Sequence, residues 1–292
     1  MYALFTNDMS SEPLKIDIEK VVKEKAPKYA KKIPGLSSTS PIPGFLFRYL
    51  ERTIHQDEIN YILKTYKDST GVKFADDLLS YMNVHINVIG KENIPPEGRF
   101  IFASNHPLGA LDGVALIRFF GHFYSGKIKF LVNDLLMHIK PLAPVFLPIN
   151  KYGSQAKESS LQINNAYESD EQMLIFPAGL CSRLQHGKIK DLEWKKTFIA
   201  KAVQSQRDII PIYFEGRNST FFYRFAQIRK CIGLKFNIEL IYLPDEMFNS
   251  KNKTFDIYIG KPIPWQTFDK SKSLQEWAQI VKEKVYQIKK NQ

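Results

Sequence analysis

The chain has 292 residues, 44% apolar and 24% charged, which excludes a disordered polypeptide and allows one large domain or two ordinary ones around a substantial core. Lys and Arg number 41 against 30 Asp and Glu, a formal charge of +11 that favours anionic partners such as phospholipid headgroups, nucleic acid or phosphorylated cofactors without choosing among them. No apolar run is long enough for a transmembrane helix, since the longest charge-free stretch, 33–47, is broken by Pro34, Gly35, Pro41, Pro43 and Gly44.

The start lacks the basic n-region of a signal peptide, and Cys181 with Cys231 makes neither a disulfide framework nor a Cys-x-x-Cys metal site. A cytoplasmic protein is therefore expected. Residues 1–82 read as a helical N-terminal segment, with a start signal at Ser11-Glu12-Pro13, charged residues through Lys32 and a Pro-, Ser- and Gly-rich link over 33–44. Leu46, Leu50 and Ile54, beside Phe45 and Tyr49, then form a wide apolar stripe on one helix. That stripe suits a helix packed on the core, or, with Arg48 and Arg52 on its flank, one facing a membrane.

Over 83–292 the pattern changes to strands alternating with helices. Val84, Ile86 and Val88 alternate with polar residues, and Phe100 to Ala103 is a short buried strand. Further strands are expected over 128–132, 173–176, 209–214, 239–242 and 255–259, with helices over 113–120, 154–167 and 193–205. The expected fold is α/β, a mixed sheet flanked by helices, with the helical segment preceding it.

Ser104-Asn105-His106-Pro107-Leu108-Gly109-Ala110-Leu111-Asp112 lies between a predicted strand and a predicted helix, where open α/β folds place their sites. Asp112 can accept the Nδ1 proton of His106 and leave Nε2 to take a proton from a hydroxyl; a loop His capped by a nearby acid is the plainer reading. Phe176-Pro177-Ala178-Gly179-Leu180-Cys181-Ser182-Arg183 is a second strand exit, and Ile210-Pro211-Ile212 running into Glu215-Gly216-Arg217-Asn218 a third. The chain has no Gly-x-Ser-x-Gly elbow, no nucleotide-binding glycine loop and no zinc-ligand spacing, so no metal is expected.

The three blocks, in this order over roughly 84–262, resemble the glycerolipid (lysophospholipid) acyltransferase superfamily, with its Asn-His-x4-Asp block, its Phe-Pro-Glu-Gly-Thr-Arg block and a later Val-Pro-Val-type strand. The resemblance implies acyl transfer from a thioester on coenzyme A or acyl carrier protein, a co-substrate rather than a cofactor, to a hydroxyl. His106 then matches the general base and Asp112 its orienting partner. Phe176, Pro177, Ala178, Gly179, Arg183, Arg217 and Asn218 become the substrate-binding candidates.

The chain departs from the family in three places. Five residues separate His106 from Asp112 instead of four, Ala178 and Cys181 replace the Glu and Arg of the second block, and Phe146 to Lys151 lacks the usual Arg. Losing that Glu and Arg removes an anchor for a glycerol-phosphate acceptor. The pattern is closer to the hemolysin-like branch, which includes O-acyltransferases making ornithine- and glycine-type aminolipids. The acceptor this implies is an N-(3-hydroxyacyl) amino acid, with lysophosphatidate as the alternative.

The acid-free stretch 217–238 intersperses Arg217, Arg224, Arg229, Lys230 and Lys235 with five aromatic residues. It suits peripheral attachment to the inner face of the cytoplasmic membrane, or equally a core helix with a solvated basic side. Nucleic acid is not an expected partner of the enzyme. A non-catalytic basic protein binding anionic lipid or nucleic acid is the remaining alternative, and it has no use for the His loop.

Overall fold

The computed structural model describes residues 15–17, 44–133, 136–137, 139–149, 155–234 and 237–290, with backbone alone for 155–157. The expected helix start at Ser11, the charged run beyond residue 17, the link over 33–43, and Asn150, Lys151, Lys235 and Phe236 lie outside them.

Three helices come first: α1 (Gly44–Thr53), α2 (Gln56–Thr65) and α3 (Gly71–Tyr81). On α3, Phe74, Ala75, Leu78 and Leu79 fall on one face and bury into the main core, as helical spacing requires. On α1 only the far end of the expected stripe packs inward, where Leu50 and Ile54 meet Ile16 and Ile241. Phe45 is 67% exposed and Tyr49 48%, and Phe47 is the side chain turned inward. No helix among the described residues is long and apolar enough to cross a membrane.

The chain then forms β1 (His85–Ile89), β2 (Phe100–Ser104), α4 (Leu111–Phe123), β3 (Ile128–Asn133) and β4 (Phe146–Ile149). These are followed by α5 (Gln155–Glu168), β5 (Gln172–Ile175), a hairpin of β6 (Arg183–Gln185) and β7 (Lys188–Lys190), and α6 (Thr197–Ser205). The remainder is β8 (Asp208–Phe214), α7 (Thr220–Cys231), α8 (Leu243–Phe248), β9 (Thr254–Ile259) and α9 (Leu274–Gln287). Seven strands make one sheet in the order β1-β9-β8-β2-β5-β3-β4, every neighbouring pair parallel except β8 and β9.

Both faces are covered, which is why the central strands read as unbroken apolar runs. Phe100 and Phe102 of β2 face the cluster that holds α3 and α4, while Ile101 and Ala103 face the cluster built with α6 and α9. Pro211 sits in a central strand, where a missing N–H is normally excluded. It falls between the last β8–β9 pair, at Ile212, and an isolated bridge from Ile209 to Ile263, a break in the neighbouring ladder.

Two expected elements differ. Residues 239–242 form a 3-10 turn, not a strand, with Glu239, Leu240 and Ile241 all buried. The helix expected from 193 begins at Thr197, and Trp194 stands outside it with its indole N–H donating to Asp191.

One buried cation ties the layers together. Arg207, fully buried, donates to the carbonyl oxygens of Tyr167, Glu171, Ala166 and Ser169 at 2.6–3.2 Å and to that of Phe100 at 3.5 Å. It thereby caps the carbonyl end of α5 and holds the turn into β5. Arg207→Met is expected to cost about 3 kcal/mol or more, because buried carbonyls lose charge-assisted partners. Urea unfolding of the variant against the parent measures this.

Candidate active site

β2, β5 and β8 run parallel and adjacent, so their exits leave the same edge of the sheet. This brings together the three blocks that the sequence separates. At the exit of β2, Asn105 acts as a spacer to β8: its Nδ2 donates to the Phe214 carbonyl at 2.9 Å and its Oδ1 accepts the Phe214 N–H at 2.6 Å. The next residue, His106, is thereby held over the sheet edge.

The His loop folds back as expected. Nδ1 of His106 lies 2.9 Å from Oδ2 of Asp112, and Asp112 is fully buried at the start of α4. The same oxygen accepts the Leu108 N–H at 2.9 Å and, more distantly, that of Gly109, while Oδ1 accepts the Gly113 N–H. A buried carboxylate needs such donors, and the helix N-terminus adds favourable field. The additional residue between His106 and Asp112 does not break the dyad. Gly109 takes a φ of +82° and presses so closely on Leu243 and Cys181 that a Cβ would stand 2.7 Å from Leu243. Nε2 of His106 takes no hydrogen bond from the described residues, and the side chain is 14% exposed.

Phe176, at the exit of β5, stacks on the imidazole with ring centroids 3.7 Å apart and planes at 17°. Pro177 and Gly179 form the turn after it, Gly179 with a φ of +70°. Ala178, at the family's Glu position, is buried in the apolar cluster of the opposite sheet face, and a charged side chain there would face Trp194 and Ile175 instead of solvent. Cys181 is also buried, and that burial pushes its thiol up to about 11 despite the Arg183 guanidinium beside it. The thiol stays protonated at neutral pH and is no nucleophile.

Arg183 is engaged by neighbours: it donates to the carbonyl of Cys181 at 2.8 Å and pairs with fully buried Glu239 at 2.9 Å, which also pairs with Arg229. Arg217 is exposed on the loop after β8, with a 3.3 Å contact to Thr220. Asn218 beside it is buried, and its Nδ2 has no hydrogen-bond partner. That loop lies on the His loop, for a Cβ on Gly216 would meet Leu108 at 3.1 Å. The backbone N–H groups of the His loop and of the Gly179 turn are engaged within the fold. Those of Leu108, Gly109 and Gly113 go to Asp112 and that of Gly179 to the Phe176 carbonyl.

Asp191, which sequence reasoning missed, holds the site from behind. Its Oδ1 accepts the His106 N–H at 3.2 Å and the Ser182 hydroxyl at 2.6 Å, and its Oδ2 accepts the Trp194 indole N–H at 2.8 Å. Burial raises its carboxyl above the usual carboxylate range, against the lowering effect of those donors. Ser182 closes the link by donating its N–H to the His106 carbonyl at 2.7 Å. The only signal in the sequence is an acid three residues before a tryptophan. Asp191→Ala removes the acceptor of three donors and is expected to destabilise the fold by about 3 kcal/mol or more. Urea unfolding measures the loss, and kcat should fall further than the folded fraction does.

Comparison with known proteins gives the family. The acyltransferase family matches residues 20–292. The chain is 51% identical, over 94% of its length and 97% of the relative's, to the lyso-glycine lipid O-acyltransferase of Bacteroides thetaiotaomicron. It is 49% identical to the protein of the same name from Phocaeicola vulgatus, over 94% of its length and 95% of that protein's. Among solved structures it is similar to the 1-acyl-sn-glycerophosphate acyltransferase PlsC of Thermotoga maritima, with a TM-score of 0.47 and 16% identity, covering 84% of this chain and 89% of that one. A chain with these three blocks gathered at one sheet edge, matched from residue 20 to its last residue, belongs to the acyltransferase family.

Proposed function

We propose that the protein transfers a fatty acyl group from a thioester, on coenzyme A or acyl carrier protein, to the hydroxyl of an N-(3-hydroxyacyl) amino acid of the glycine-lipid type. It does so as a peripheral protein on the cytoplasmic face of a membrane. The reading rests above all on the His106–Asp112 pair with Nε2 left open, and on the names of the two curated relatives for its acceptor.

In the reaction, Nε2 of His106 takes the proton of the acceptor hydroxyl as its oxygen attacks the thioester carbonyl. Asp112 keeps Nδ1 protonated and stabilises the imidazolium that forms. Collapse of the tetrahedral intermediate breaks the C–S bond, and the imidazolium returns the proton to the departing thiolate. The stacked Phe176 ring fixes the imidazole plane, and no acyl-enzyme is required. Asn218 Nδ2, a buried donor without a partner, is assigned to a substrate oxygen. Arg217 is the exposed cation on the same loop and can grip a carboxylate with two parallel hydrogen bonds. With Ala178 and Cys181 buried where the family carries Glu and Arg, lysophosphatidate lacks its usual anchor.

His106→Ala should fold normally and lose activity by roughly 10²-fold or more, the usual worth of a positioned general base. Near-normal turnover would overturn the mechanism. Side-by-side rates should favour N-(3-hydroxyacyl)glycine over lysophosphatidate, and Arg217→Ala should raise KM for the former with kcat little changed. A clear preference for lysophosphatidate would reverse the acceptor assignment.

A further inference from the structure

The helix that starts at the acceptor loop wears its apolar residues on the outside. On α7, Phe222, Tyr223 and Ala226 bury inward, against the cluster that contains Cys181. Phe221, Phe225, Ile228 and Ile232 recur at i, i+4, i+7 and i+11, a single stripe on the opposite side. Phe221 is 52% exposed, Ile228 58% and Ile232, just past the helix end, 65%. Exposed Arg224 flanks the stripe, and α7 contains no acid.

The exposed end of α1 belongs to the same surface. Tyr242 joins them: its ring lies 4.9 Å from that of Phe221 and 5.5 Å from that of Phe225, and its hydroxyl bonds to that of Tyr49. Phe45 and Leu46 stand exposed beside Tyr49, with Arg48 and Arg52 also in solvent. Of eleven large apolar side chains exposed among the described residues, seven lie on these two helices or the turn after α7, so the patch is concentrated and not scattered.

We infer that this joined face of α1 and α7 is the docking surface for an anionic lipid bilayer, and that docking delivers the acceptor to the His106 site. An apolar stripe on the acid-free helix α7, bordered by exposed Arg224 and by Arg48 and Arg52 of α1, matches a leaflet whose acyl chains lie beneath negative headgroups, whereas a protein partner has no need of that layering. Because α7 starts two residues after Asn218 and buries its inner side against Cys181, the bilayer meets the protein where the acceptor must enter. The inference rests on the proposed function only for the acceptor being a lipid.

The test is sedimentation of the full chain with phosphatidylcholine vesicles, with and without phosphatidylglycerol, at low and high salt. Arg224→Gln with Arg48→Gln should weaken binding to the anionic vesicles by about tenfold or more at low salt and little at high salt. Ile228→Ser with Ile232→Ser should weaken it by about tenfold or more at either salt, since it removes inserted apolar area. Both variants should retain the parent's melting temperature and its rate on a short-chain, water-soluble hydroxyacyl amino acid. That rate separates the two readings: loss of vesicle binding with the rate intact supports the docking face, and an inactive parent refutes the proposed function alone. Unaltered vesicle binding by both variants overturns the inference. So does a change from dimer to monomer in the serine variant with vesicle binding kept, which would make the face a contact between copies of this chain.

Discussion

A carboxylate with no access to water, Asp112, is the constraint from which the rest of the site follows. Its charge is tolerable only because the His106 imidazole, the amides of Leu108, Gly109 and Gly113 and the first turn of α4 converge on it. That convergence dictates the path of the loop, the positive φ at Gly109 and the tautomer of His106, with Nδ1 protonated and Nε2 outward. The open Nε2 of His106 is a by-product of satisfying one buried acid.

A second buried acid, Asp191, fixes the loop from the other side. It reaches the His106 amide, the Ser182 hydroxyl and the Trp194 indole, and its own amide donates to the Tyr286 hydroxyl of α9. The C-terminal helix is thus coupled to His106 through one residue. Burial pushes both the Asp191 carboxyl and the Tyr286 phenol up, so this link is held as a rigid, poorly solvated network. Glu239 plays a comparable part around Arg183 and Arg229, leaving that cluster with a net positive charge beside the acceptor side of the site.

The replaced family positions gain meaning in this setting. Ala178 fills the apolar layer beneath the turn, and Cys181 packs against Gly109 and the underside of α7. An acceptor anchored by phosphate needs cations at the turn, and those positions here are apolar and closed to solvent. The exposed charge lies at the exit of β8, at Arg217, where the surface of α7 begins.

Much of this was legible from composition and spacing. The alternation of strands and helices, the amphipathic face of α3 and the His106–Asp112 pair all follow from local chemistry, because each involves residues close in the chain or repeating at a helical or strand period. Asp191, Glu239 and Arg207 were not legible. Each is a charged residue with at least one partner tens of residues away, so its burial depends on packing that spacing does not encode. The direction of the apolar stripes was not legible either. Phe45 and Tyr49, like Phe221 and Ile228, have the spacing of core residues, yet Phe47, Phe222 and Tyr223 are the ones turned inward. A periodicity defines a face of a helix; only the neighbouring elements decide whether that face meets protein or solvent.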